Sequence, residues 1–243
     1  MGVSMAEIVK LQTAELIDKA AAIITTQKLY DAVVKKDKAV WVLAGGSTPL
    51  RVYELLAKEH KDALDWTKVY ILIGDDRCVP IDSPDSNWGL IKPHIIELGI
   101  PEKNWILPNY SKDQPTAEDY NAKIDEFVKE AEGVLSIDLL WLGIGEDGHT
   151  LSLFPGRQLD YDKFVIEVLD SPKPPSERIS MTLKSVSHVD NAMILATGSS
   201  KSDAVKMAIN LEKRLPIVSV IDHIEIGGGK VSWLVDGAAG ASI

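Results

Sequence analysis

Asp147 and His149 stand two residues apart, just past an apolar run, a spacing that suits a general base and its orienting partner. An imidazole titrates near neutral pH, and a carboxylate beside it can fix its tautomer and stabilise its protonated form. Such a pair can take a proton from water and return one to a leaving group. The run before it, residues 137–142 (IDLLWL), is apolar except for Asp138, which predicts a strand buried on both faces. Gly143 and Gly145 end that strand, and glycine lets a backbone approach a ligand closely.

Three other strand ends carry groups that could meet the same ligand. Residues 39–44 (AVWVLA) run into Gly45, Gly46, Ser47, Thr48 and Pro49, with Thr48 suited to a helix N-cap and Pro49 to the first helical position. A glycine turn feeding a helix N-terminus leaves backbone N–H groups facing outward, where an anion can bind, although the same turn also serves plain strand-to-helix connections. Residues 69–73 (VYILI) end in Gly74, Asp75, Asp76 and Arg77. Residues 191–197 end at Gly198, with Ser199 or Ser200 as a cap and Lys201 in the first turn of the next helix. A lysine there opposes the helix dipole, which an anionic ligand would explain.

These groups need a scaffold, and the chain alternates helical segments with short buried strands. That order predicts a single domain over residues 1–243: α/β, doubly wound and Rossmann-like, a mainly parallel sheet with helices on both faces. Ligands bind such sheets beyond the carboxyl ends of the strands, where all four glycine-ended strands would converge. Residues 5–30 read as an amphipathic helix with Val9, Leu16, Ala20, Ile23 and Ile24 on one stripe. Residues 87–98, with a Pro93 kink, and 115–132 read as further helices, and 108–114 as a loop. The segment 171–176 (SPKPPS) reads as an exposed loop. Residues 178–182 read as a half-buried strand, and 216–221 and 231–235 as the last strands.

Composition narrows the class of function. The 243 residues are 45% hydrophobic and 26% charged, ordinary for a globular protein, with a net charge of −10. That charge argues against nucleic acid, yet a few local cations can hold a small anion. Cys78 is the only cysteine, so no internal disulfide can form; with no signal core and no membrane-length apolar run, a cytoplasmic location is expected. No Cys or His cluster has metal spacing, and the Walker, Rossmann-glycine and nucleophile-elbow motifs are missing, so neither a metal nor a cofactor is expected. The residues alone therefore point to metal-free acid–base chemistry on a small phosphorylated molecule.

Several motifs also carry a family resemblance: Gly45 to Pro49 (GGSTP), Asp75 to Arg77 with Val79 and Pro80, Ser86 with Asn87, and Asp147 to His149 with Ser152 to Gly156 (SLFPG). Arg178, Gly198 with Lys201, Leu215 with Pro216, and Trp233 with Asp236 extend it nearly end to end. The chain resembles the 6-phosphogluconolactonases, within the wider group that includes glucosamine-6-phosphate deaminases. The resemblance implies hydrolysis of 6-phosphoglucono-1,5-lactone by a monomer or small homo-oligomer, with His149 as the base that activates water. It implies a phosphate site made by Gly45, Gly46, Ser47 and Thr48 with Arg178 and Lys201, and substrate contact at Arg77. Asp147, or else Asp75, would orient the imidazole, and amides near Gly145 or Arg77 would hold the oxyanion. The family's usual Asp-Glu-Arg is Asp75-Asp76-Arg77 here, which leaves Asp76 without a role. Deaminase relatives carry a Glu five residues after the histidine, where this chain has Phe154. A regulatory sugar-phosphate sensor would need a DNA-binding segment, which residues 1–38 do not supply.

Overall fold

The computed structural model describes residues 6–110, 114–130, 133–159, 161–210 and 215–243. Six parallel strands form the main sheet, in the order β1 (Glu7–Leu11), β9 (Lys230–Asp236), β8 (Asn191–Ala196), β5 (Leu139–Gly143), β2 (Ala39–Leu43) and β3 (Val69–Ile73). Every residue of β2 is buried, as continuous apolar runs in a covered parallel sheet should be. The chain leaves β2 toward β3 on one side, while β5, β8 and β9 build outward on the other. The strand order therefore reverses between β2 and β5, and crevices of open α/β sheets form at such points. The glycine turn after β2 and the Asp147–His149 segment after β5 flank that reversal.

Aromatic side chains set the strand ends firmly. Trp41 of β2 and Trp141 of β5 meet edge to face at 4.9 Å, and Tyr53 stacks on Trp141 at 4.9 Å from helix α2 (Ser47–Glu59). The buried Tyr53 hydroxyl accepts from the Ala44 N–H (3.1 Å) and donates to the Ala44 carbonyl (3.0 Å), fixing the residue before the glycine turn. Tyr120 of α4 (Ala117–Glu130) does the same for Ile73 at the end of β3, at 2.8 and 2.7 Å. These bonds satisfy backbone groups that the sheet leaves open at its ends.

A second, antiparallel sheet of β4 (Asp75–Arg77), β7 (Arg178–Met181) and β6 (Val165–Val168) lies in the order β4-β7-β6. It places Arg77 opposite Arg178 and Asp75 opposite Ser180. Residues 178–181 are buried throughout rather than half-buried, because β7 is the central strand of this sheet.

Four further sequence expectations are corrected. Residues 7–11 are an edge strand, not helix; their charged, exposed alternation suits an edge. Thr13 then caps α1 (Ala14–Lys36), its Oγ1 accepting from the Leu16 N–H. The buried face of α1 is Ile17, Ala21, Ala22, Thr25, Leu29 and Ala32, while Leu16 and Ile23 are 43% and 59% exposed. Small residues let α1 lie close against its neighbours, and the larger apolar stripe faces outward. Residues 216–221 belong to helix α6 (Pro216–Ile226), not to a strand. Its apolar run fits either period, and Pro216 at the first turn decides for helix. Helix α2 also begins earlier than expected, with Gly46 as its cap and Thr48 already inside. Helix α3 (Asn87–Leu98) contains Pro93 as expected. Residues 5, 111–113 and 131–132 of the expected segments lie outside the described residues.

Candidate active site

The crevice at the strand reversal is a cleft of about 330 Å³, walled by Gly45, Gly46, Asp75, Arg77, Trp141 and residues 142–145 with His149. Asn87, Lys173, Arg178 and Lys201 complete it. Three hollows elsewhere are larger, two of about 800 Å³ and one of about 410 Å³, but none contains Asp75, Arg77, His149, Arg178 or Lys201. Small-molecule sites are defined by converging polar groups more than by volume alone.

A short turn after β5 carries the acid–base pair. Gly145 N–H donates to the His149 carbonyl (2.8 Å) and Gly148 N–H to the Gly145 carbonyl (2.9 Å), folding the segment back on itself. His149 Nδ1 then lies 2.5 Å from Asp147 Oδ1, whose side chain is half exposed while the imidazole is mostly covered. A Cβ on Gly145 would lie 2.0 Å from His149 Nδ1 and 2.5 Å from Asp147 Oδ1, so only glycine leaves room for this pair. Phe154 packs against the other side of the imidazole at 4.7 Å.

Burial lowers the pKa of His149 below the ordinary imidazole value, outweighing the hydrogen bond and charge of Asp147; Lys173 lowers it further and Asp75 works the other way. The imidazole is therefore neutral at pH 7. For Asp147 burial acts to raise the carboxyl, but the hydrogen bond and charge of His149, with Lys173, hold it below its ordinary range. A neutral ring beside an ionised carboxylate is the state a general base needs.

Of the two carboxylates the sequence left open as partners of His149, the structure joins Asp147 to the ring. Asp75 instead accepts from Ser152 Oγ at 2.7 Å and reaches the imidazole only through its field. Of the amides near Gly145 and Arg77 that the sequence offered as oxyanion donors, two are already used: Gly145 N–H bonds the His149 carbonyl, and Arg77 N–H bonds Asp76 Oδ1 at 2.8 Å.

Gly45 and Gly46 wall the cleft; Ser47 and Thr48 lie in the first turn of α2 and are not among its walls. Thr48 Oγ1 meets Thr197 Oγ1 at 2.7 Å, tying the α2 start to the segment that leads into Lys201. Lys201 ends a short 3₁₀ turn and precedes α5 (Ser202–Ile209); burial lowers its ammonium pKa below the ordinary value. Arg77 donates from Nη1 to the Asp85 carbonyl (2.7 Å). Arg178, 4% exposed, donates from Nε to the Pro175 carbonyl (3.1 Å) and from Nη2 to the Lys173 carbonyl (2.9 Å). Its guanidinium also sits 5.7 Å over the Phe154 ring.

Two cleft residues carry no role in the sequence reading. Asn87 donates from Nδ2 to the Asp75 carbonyl (3.0 Å), and its side chain fills the space where a Gly45 Cβ would stand. Lys173 belongs to the proline-rich loop, which borders the cleft rather than lying apart from it. A lysine set among prolines was the available signal, since prolines present it with little conformational freedom.

Asp76 has a structural place. It is fully buried and accepts from the N–H groups of Arg77, Asn87 (2.6 Å) and Trp88 (3.0 Å), and from Tyr110 Oη (2.6 Å) and Ser86 Oγ (3.4 Å). Burial raises its pKa above the ordinary carboxylate value, against the pull of these donors. Replacing it with alanine strands the first amides of α3, so Asp76→Ala should cost about 2–4 kcal/mol of stability. A lower urea midpoint at unchanged slope would show this, and an unchanged midpoint would refute it.

Fold and cleft together define an α/β protein with a neutral imidazole–carboxylate pair among four cationic side chains at a sheet reversal. The chain belongs to the family described as glucosamine-6-phosphate isomerases/6-phosphogluconolactonase, whose sequence model matches residues 12–233. A fission yeast protein named probable 6-phosphogluconolactonase is 31% identical over 244 residues, covering 94% of this chain and 92% of its own. A chloroplastic rice protein named probable 6-phosphogluconolactonase 4 is 30% identical over 206 residues, 80% of this chain; the match spans 64% of the rice protein's length. The solved 6-phosphogluconolactonase of Trypanosoma brucei superposes with a TM-score of 0.82 at 25% identity, covering 98% of both chains.

Proposed function

We propose that the chain hydrolyses 6-phospho-D-glucono-1,5-lactone to 6-phospho-D-gluconate, the second step of the oxidative pentose phosphate pathway. The reading takes residues 1–243 as one domain acting on a small sugar phosphate in the cytoplasm. The observation that carries it is the engagement of His149 Nδ1 by Asp147. That bond puts the ring proton on Nδ1 and leaves Nε2 as the basic nitrogen. Nε2 takes a proton from water as its oxygen attacks the lactone carbonyl carbon. When the tetrahedral intermediate collapses, the bond from that carbon to the ring oxygen breaks, and the same imidazole returns the proton to the departing oxygen. Asp147 stabilises the imidazolium between the two steps.

Phe154 speaks against the deaminase or isomerase alternative. It lies against the imidazole in place of a carboxylate, and a phenyl ring transfers no protons. No helix among the described residues is long and apolar enough to cross a membrane. The direct test is a coupled assay with lactone generated in situ, its disappearance measured above the uncatalysed background. Equal rates with and without the protein would overturn the reading.

The phosphate would sit at the α2 start beside Thr197 and Lys201, where helix amides and an ammonium converge. Charge-assisted hydrogen bonds contribute about 1.5–3 kcal/mol each, so Lys201→Ala should weaken phosphorylated substrate by about 10–100-fold in kcat/KM. Glucono-1,5-lactone without the phosphate should be turned over poorly by the parent and hardly changed by the substitution. A constant ratio between the two substrates would place the phosphate elsewhere. Arg178 is expected to contribute less directly than the sequence suggested, because two of its donors hold the loop.

A further inference from the structure

We propose that Lys173 is the electrophilic residue of this site: its ammonium donates to the lactone carbonyl oxygen as that atom becomes an oxyanion. The proposal rests on the lactonase reading above and adds the donor that the reaction requires. A tetrahedral intermediate in a covered site needs a hydrogen-bond donor or a cation at its oxyanion. Several donors around the cleft are committed. Gly145 N–H bonds the His149 carbonyl and Arg77 N–H bonds Asp76. Asn87 gives its N–H to Asp76 and its side-chain amide to the Asp75 carbonyl. Arg178 spends Nε and Nη2 on the proline-rich loop. Arg77 gives Nη1 to the Asp85 carbonyl, and its buried Nε, which has no partner among the described residues, is the rival donor that the test must separate from Lys173.

Lys173 is different. Its backbone is fully engaged: the carbonyl accepts from Arg178 Nη2 (2.9 Å) and Ser171 Oγ (2.9 Å), and its N–H donates to Ser171 Oγ (3.3 Å). The residue is exposed and lines the same cleft as His149, and no acceptor among the described residues takes its ammonium. The loop is also referenced to the imidazole by a line of contacts. Arg178 holds the Lys173 carbonyl and lies over Phe154, and Phe154 packs on the His149 ring. Arg178 is thus a positioning residue for the loop, and what the loop presents is a cation. Lys201, the other lysine, ends the 3₁₀ turn that follows Gly198 and feels the charges of Glu146, Lys173 and Asp147; the reading above gives it to the phosphate.

In this arrangement the proton balance is unchanged. Water gives its proton to His149 Nε2, the ring oxygen receives it, and Lys173 keeps its own protons while opposing the negative oxygen. The product carboxylate then remains facing the same ammonium.

The test compares the parent with Lys173→Met and Lys173→Arg on both the phosphorylated and the unphosphorylated lactone. Removing an oxyanion donor costs about 10²–10³-fold. Lys173→Met should therefore lower kcat/KM for both lactones by a similar factor, leaving their ratio intact, and Lys173→Arg should recover at least tenfold. A second readout is the acid limb of the pH profile. The charged groups that act on the imidazole are Asp147, Asp75 and Lys173, and only Lys173 disfavours its protonation. Its loss should move the limb to higher pH, which a merely structural role would not do. The thermal midpoint should hold, because the loop is latched through the Lys173 carbonyl. Retained activity in Lys173→Met, or a loss confined to the phosphorylated lactone, would overturn the assignment. A parent that hydrolyses neither lactone would instead overturn the lactonase reading.

Discussion

His149→Ala should lower kcat by about 10²–10⁴-fold, the usual contribution of a positioned general base. His149→Asn should do little better, since it keeps much of the shape but cannot accept a proton at useful pH. The effect should fall on kcat rather than KM, because the imidazole acts on water and not on the phosphate end. The pH profile follows from the same geometry. A base works only when neutral, and burial lowers this imidazole below its ordinary pKa. The rate should thus climb with pH through a point below the ordinary histidine value and then level off. Either variant turning over at the parental rate, or a parent whose activity rises only above the ordinary histidine range, would remove His149 from the mechanism.

Much of the scaffold was legible because strand burial leaves a strong mark. Residues 39–44, 69–73 and 231–235 read as strands and are strands, since a sheet covered on both faces admits few polar residues. The edge strand at Glu7–Leu11 left no such mark, because one side of it meets water. Helix α6 was misread because Ile217, Val218, Val220 and Ile221 are all buried, and an apolar run on all sides carries no period. The three-residue strand Asp75–Arg77 was hidden by its charges, which look like a turn.

The site divides along similar lines. Glycine-ended strands announced where ligand groups would gather, and four of them do supply walls or flanks of one cleft. What could not be read was which partner each polar group would choose. Asp147 takes the imidazole and Asp75 takes Ser152; Gly145 and Arg77 spend their amides locally. These choices depend on angles at turns, and the sequence records residue types rather than directions. Lys173 was overlooked for a related reason: a proline-rich loop looks like a spacer until the fold shows what it borders.

Gly145→Ala should separate folding from catalysis. Its backbone lies outside the left-handed region, so alanine is not excluded by conformation. The conflict is with two side chains: the new methyl would sit 2.0 Å from His149 Nδ1 and 2.5 Å from Asp147 Oδ1. No heavy atoms coexist at such distances, so one or both must move. Both atoms belong to side-chain ends, and that of Asp147 is 36% exposed, so the pair can swing toward solvent without disturbing the core. The chain should fold with a thermal midpoint close to that of the parent. The imidazole, however, loses both its alignment and the carboxylate that stabilises its charged form. Misplacement of a catalytic group by about 1 Å can cost about 10²-fold, and losing Asp147 adds to that. The expected fall in kcat is therefore about 10²–10³-fold, approaching that of His149→Ala. The double variant Gly145→Ala with His149→Ala should be scarcely worse than His149→Ala alone, since both act through one ring. Gly143→Ala is a control for folding alone: two residues earlier, also outside the left-handed region, its Cβ meets nothing within 4 Å, and the thermal midpoint should hold. Parental kcat in Gly145→Ala would mean that contact between Asp147 and His149 is not needed for turnover, and the base would have to be sought elsewhere in the cleft.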